Sequence, residues 1–156
     1  ADIITQATGL NQRLWELGDS FEMFLRPEGR EAYVELQVAP NNHRLQLRYA
    51  DRAALERARQ SGSTAEALIP GEAFRSAVWV ESSRWCVLAE IPAALVCGPR
   101  DSLAGQQWHF SFSRYDYTRG RGEPVISCTS PHTCADFHRQ AEWGIIRFGS
   151  DGGANE

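Results

Sequence analysis

An antiparallel β-sandwich carrying one short helix is the fold this sequence predicts, on three observations. Apolar and polar residues alternate with period two in one segment after another. Gly, Pro, Asn and Ser cluster between those segments at the intervals of a sandwich or barrel. Only one stretch has a helical composition. A chain of 156 residues suits one domain with one core. The domain is expected over residues 1–150, with a disordered polar tail over 151–156.

Residues 21–26 alternate and are stopped by Pro27, which removes a ladder donor. Over 32–39, Val34, Leu36 and Val38 fall on one side and Tyr33, Glu35 and Gln37 on the other. A Pro-Asn-Asn turn follows, and 44–49 alternates again, so 32–49 reads as a hairpin with one buried face. Residues 51–59 are Ala-rich and charged, with Asp51 as candidate N-cap and a thin apolar stripe. Residues 73–80 and 84–91 read as two strands around a Glu-Ser-Ser turn, and 92–96 as one helical turn. Residues 108–115 and 144–148 complete about seven strands. On the strand after Gln107, Trp108, Phe110 and Phe112 share one side, which ends in Arg114: an apolar strip with a cation at its tip.

The net charge of −4 argues against a nucleic-acid partner. All sixteen basic residues are Arg, as GC-rich codon usage would give. No segment approaches the apolar length of a membrane span. Cys128 and Cys134 flank a short loop that a disulfide could close, and two bridges would suit an exported protein. Free thiols are the alternative, above all for Cys86 inside a strand-like run. The cysteine spacings match no zinc signature.

Five segments, in order, resemble family 9-like carbohydrate-binding modules of the wider DOMON-like group. Trp15, Asp19, Glu22 and Phe24 are similar to that family's opening strand, and Tyr33, Glu35 and Pro40 to its next. Trp85, Glu90, Ile91 and Pro92 resemble its Trp…Glu-x-x-Ile-Pro segment. Trp108 and Arg114 match its Trp-x-x-Asn-x-x-Arg strand, with Ser111 at the Asn position. Phe137, His138, Trp143 and Gly144 resemble its Phe-His-x-Pro-x-x-Phe-Gly close. The usual Trp-Ser after the Arg strand is replaced by residues 126–131, and the strand before Trp15 is short. The resemblance covers residues 15–148. It implies a DOMON-like or jelly-roll-like sandwich and non-catalytic binding of an oligosaccharide or polysaccharide end, as a bacterial, secreted or periplasmic accessory to a glycoside hydrolase.

Sugars are held by aromatic faces beside polar groups. The ligand-binding candidates are Trp79, Arg114, Tyr115, Tyr117 and Trp143, with Trp79, beside a turn, as the first wall. Core packing competes for every Trp. Arg114 has a rival structural role pairing Glu22, Glu35 or Glu90, and His138 reads as a hydrogen-bonded structural residue. Glu22, Glu35, Glu90 and Asp116 are the carboxylates from which a glycosidase pair would have to come. On strands they read as solvated, so no catalytic residue is expected. No cofactor is expected: Asp19 and Asp136 are the loop carboxylates calcium would draw on, and Met23, the one Met, alternates as a core residue rather than a haem ligand. A structural or protein-interaction sandwich without sugar binding is the alternative.

Overall fold

The computed structural model describes residues 2–82, 84–99 and 101–149. The tail expected over 151–156 and one position of the Glu-Ser-Ser turn, residue 83, lie outside them. Eight strands form: β1 (Ser20–Pro27), β2 (Tyr33–Val38), β3 (Arg44–Tyr49), β4 (Arg75–Val80), β5 (Trp85–Glu90), β6 (Gln107–Asp116), β7 (Val125–Cys128) and β8 (Gly144–Arg147). Two helices, α1 (Arg52–Ser61) and α2 (Ala93–Val96), lie between them. The main sheet runs β3-β2-β1-β6-β7, with β8 also paired to β6, and every pairing is antiparallel. The long β6 pairs β8 through its first half and β7 through its second. A separate β4–β5 hairpin forms the second layer.

The hairpin, α2 and the apolar strip make one core. Met23, Leu25, Val34, Leu36, Val38 and Trp108 point toward it, with Val78, Val87 and Ala89 of the hairpin packed against them. The opposite face of the sheet is buried as well, which corrects the expectation of a one-sided hairpin at 32–49. All six residues of β2 are buried. The cover comes from Leu55 of α1 and from Phe137 and Trp143 in the long connection between β7 and β8, packed over Phe24, Tyr33, Leu45 and Leu47. That connection has almost no regular structure, so no periodicity announced it as a lid over the sheet. The strand β7 was also unanticipated, being short and exposed at three of its four positions.

Local chemistry explains the single long helix. Asp51 Oδ1 accepts from Ala54 N at 2.7 Å as its N-cap, and Gly62, at φ +64°, ends it in the left-handed region. Only Leu55 of α1 is buried, in keeping with its thin apolar stripe.

Two glycines are required by contact. A Cβ on Gly144 would lie 2.7 Å from Cε1 of Phe110, so the Trp-Gly pair before β8 lets a ring pack on bare backbone. Gly18 has φ +133°, and a Cβ there would meet the Ile4 carbonyl oxygen at 2.2 Å. Gly18→Ala is therefore expected to destabilise by about 2 kcal/mol, releasing the Thr5–Gly18 bridge. Thermal melting reads the loss, and protection of the Gln6 and Asp19 amides in hydrogen exchange locates it.

Candidate functional site

The covered face of the sheet contains polar residues where a core would ordinarily be apolar. Glu22 of β1 stands across from Gln37 of β2, and Glu35 of β2 from Phe24 of β1. Alternation therefore puts Glu22, Glu35 and Gln37 on one face, together with Ser113, which pairs with Glu22 from β6. Glu22 and Glu35 are 3% and 4% exposed, which corrects their reading as solvated carboxylates. Gln37 Nε2 donates to Glu22 Oε1 at 2.7 Å and to Glu35 Oε1 at 2.6 Å. One amide thus holds both acids side by side. Ser113 Oγ donates to Glu22 Oε2 at 2.8 Å.

His138 closes the group. The Tyr33 hydroxyl is 2.7 Å from His138 Nδ1, and His138 Nε2 faces Glu35 Oε2 at 3.6 Å. Burial holds the imidazole down to about 4, so it is neutral near neutral pH. Burial, then the nearby Glu35, pushes Tyr33 up, so its hydroxyl stays protonated. The hydroxyl then donates to Nδ1, and the ring proton of His138 sits on Nε2, toward Glu35. Burial also raises Glu35 to about 7. Burial, then the neighbouring Glu35, raises Glu22 well above the usual carboxylate range.

Glu22, Glu35 and His138 line a cavity of about 370 Å³. Its aromatic lining is Trp15, Phe24, Tyr49, Tyr115 and Phe137, and Arg13 and Arg59 also reach it. Both guanidiniums are engaged. Arg13 pairs with Glu16 at 3.0 Å and lies 5.0 Å over the Trp15 ring. Arg59 pairs with Asp136 at 2.7 Å and Glu56 at 3.6 Å. Perturbed acids beside aromatic surface in a cavity of this size have the composition of a small-ligand site.

The five residues singled out in the sequence do not converge. Tyr115 lines the cavity with Glu22 and Glu35. Trp143 is 5% exposed, and its Nε1 donates to Phe137 O at 2.8 Å, so its ring is core and offers no face to solvent. Trp79 is 49% exposed on the outer side of the hairpin, beside Val80 and with Leu88 also exposed. It stands in the other layer, separated from the cavity by the sheet. Tyr117 turns back, its hydroxyl donating to Trp15 O at 2.6 Å. Arg114 lies on the hairpin side of the sheet, so neither Glu22 nor Glu35 is its partner; it pairs with Asp116 at 2.9 Å. Arg114, Asp116 and Tyr115 line a second cavity of about 300 Å³ with Phe21 and Trp85. Trp15, Glu22, Glu35, Tyr49 and Arg59 were missed as site residues. The available signal was acidic residues at inward positions of strands whose other face is apolar.

Ser111 Oγ, His132 and Glu142 are connected in series, at 3.4 Å to Nε2 and 2.9 Å from Nδ1. That is the order of a nucleophile, base and acid, but Ser111 is fully buried and cannot meet a substrate. Met23 points into the hairpin-side core while His138 lies on the opposite face, so the two cannot ligate one haem. Asp19 accepts from Tyr117 N and Ile4 N, and Asp136 pairs with Arg59; among the described residues no three His, Cys, Asp or Glu side chains gather as a metal ion requires. All four cysteines are free, and Cys128 Sγ donates to Ser130 O, so no bridge closes the 128–134 loop. Among the described residues no helix is long and apolar enough to cross a membrane.

No protein-family model and no curated protein matches the sequence. The fold is similar to the crystal structure of a protein from Bacteroides uniformis described as a "putative carbohydrate-binding protein". The TM-score is 0.66 at 18% identity, over 94% of this chain and 67% of the other. At that identity the likeness shows the antiparallel β fold.

Proposed function

We propose that this protein binds carbohydrate without transforming it, in the cleft floored by Glu22 and Glu35. The observation that carries this reading is a buried diacid opening into a cavity lined by Trp15 and Tyr115. Ring faces accept the C–H face of a pyranose. Glu35 Oε2 accepts a sugar hydroxyl proton, and the Nε2 proton of His138 is donated to a sugar oxygen. The fold shared with a protein described as carbohydrate-binding supports the same reading, as does the five-segment resemblance to family 9-like modules. The floor is the sheet itself, and the end of a glycan chain is the expected occupant, as the resemblance to family 9-like modules implies.

Catalysis is disfavoured by the tethering of the acids. Both oxygens of Glu22 accept internal hydrogen bonds, and Glu35 is tied to the same Gln37 amide. Neither carboxyl swings freely to a glycosidic oxygen, as a general acid must. Affinity is weak, because sugar hydroxyls exchange water bonds for protein bonds with little gain. As in other modules of this kind, the protein would serve polysaccharide breakdown outside the cytoplasm.

Calorimetric titration against soluble oligosaccharides tests the proposal. Trp15→Ala and Tyr115→Ala are expected to weaken binding roughly tenfold, about 1.4 kcal/mol, while the melting temperature moves by only a few degrees. Trp79→Ala is expected to leave binding unchanged. Absence of binding to every glycan at millimolar concentration, or loss of binding in Trp79→Ala alone, overturns it.

A further inference from the structure

Two carboxyls lie side by side at the floor of the cleft with no cation bonded to either. Buried acids are normally paired with a base or a metal. Here the chain contains no Lys, and the nearby guanidiniums are committed elsewhere: Arg59 to Asp136 and Glu56, Arg13 to Glu16. Among the described residues the polar donor that joins the two acids is the neutral Gln37 amide. A second observation bears on the same acids. Glu35 Oε2, on a side chain 5% exposed that lines the cavity, accepts no hydrogen bond from the described residues; His138 Nε2 lies 3.6 Å from it. Gln37 Oε1 is likewise buried and without a partner. The cavity against Glu35 is lined by Trp15 and Tyr115, whose ring faces attract a cation.

We infer that the cleft is built for a sugar bearing a free amine, whose ammonium group sits against Glu35 and Glu22 among the aromatic rings. This rests on the reading of the cleft as a sugar site and names the class of sugar. In the empty protein the acids hold protons where the ligand's cation would lie. An arriving ammonium donates to the carboxylate oxygens, and the displaced proton leaves to solvent through the open cleft. Binding is therefore an exchange of proton for cation. The other groups facing the pair do not supply the charge. Tyr33 of β2, Tyr49 of β3 and Tyr115 of β6 are held protonated by burial. His138 of the β7–β8 connection is neutral, and Arg59 of α1 and Arg13 of the N-terminal segment are each matched by carboxylates at the mouth.

The test is calorimetric titration, at about pH 6.5 where amines are largely charged, with glucosamine oligomers, their N-acetylated counterparts, cello-oligosaccharides and an oligouronate. Glucosamine oligomers are expected to bind at least tenfold more tightly than the others. Repeating the titration in buffers of different ionisation heat is expected to report proton release on binding in the unmodified protein. Glu35→Gln is expected to abolish both the preference and the released proton; if that variant fails to fold, the buffer series on the unmodified protein still decides. Equal or tighter binding of acetylated, uncharged or acidic oligomers, or amine binding without proton release, overturns the amine assignment while leaving the cleft a sugar site. Binding of no oligomer at all overturns both readings.

Discussion

Trp143→Ala is expected to cost about 3–5 kcal/mol of folding free energy, lowering the melting temperature by on the order of 10 °C for a domain of this size. Trp143 packs against Phe24 and Tyr33, with ring centroids at 5.7 and 5.5 Å, in the layer that roofs the polar face of the sheet. Truncation leaves a cavity of indole size beneath the β7–β8 connection. It also strands the Phe137 carbonyl, which accepts the indole N–H, and an unsatisfied buried acceptor adds about 1–3 kcal/mol within that total. Trp143→Phe keeps most of the packing and loses only the hydrogen bond, so its cost is expected to be about a third as large. Chemical denaturation of both variants checks the ordering. Equal, small effects would mean that the roof does not depend on this ring, and that Trp143 is available for other contacts.

Stability is expected to fall as pH rises from 6.5 to 8. Glu35 has a higher pKa folded, about 7, than the ordinary 4.5, so the folded chain holds a proton that the unfolded chain has released. Its contribution is fully present below 4.5 and is lost as pH rises through about 7. Glu22 is shifted in the same direction, by burial and by the neighbouring Glu35. His138 acts oppositely: its folded pKa is lowered from 6.5 to about 4, so its stabilisation is present above 6.5 and lost on acidification. Between 4.5 and 6.5 the histidine offsets part of the carboxyl effect. Above 6.5 the histidine is neutral in both states and only the acid pair still titrates. At about 1.4 kcal/mol per pK unit, the loss between pH 6.5 and 8 is on the order of 1–2 kcal/mol. Melting temperatures across that range, for the unmodified protein and for Glu35→Gln, check this. A flat profile in the unmodified protein would mean that the pair is ionised throughout and finds its compensation elsewhere.

Most of the architecture was legible because period-two alternation reports directly on a sheet with a buried face. The strands β1, β2, β3 and β6, the hairpin β4–β5 and the Asp51-capped helix follow from it within a residue or two. The site was much less legible. Arg114 and Tyr115 are neighbours in sequence, but a strand sends them to opposite faces, and of the two Tyr115 alone reaches the cavity over Glu22 and Glu35. Trp79 and Trp143 are the same residue type with opposite fates, one exposed on an uncovered hairpin and one roofing the second core. No local pattern separates them, because exposure depends on which distant segment covers each face.

The sequence by itself determined that this chain is an antiparallel β protein, where its strands turn, and that aromatic and acidic side chains sit at alternating positions along them. Only the tertiary structure decided that the polar face of β1 and β2 is roofed. Alternation tells a side chain which face it takes but not what lies over that face. Here an irregular segment far downstream in the chain folds across it, and that burial turns Glu22 and Glu35 from ordinary surface acids into a proton-holding pair at the floor of a cleft.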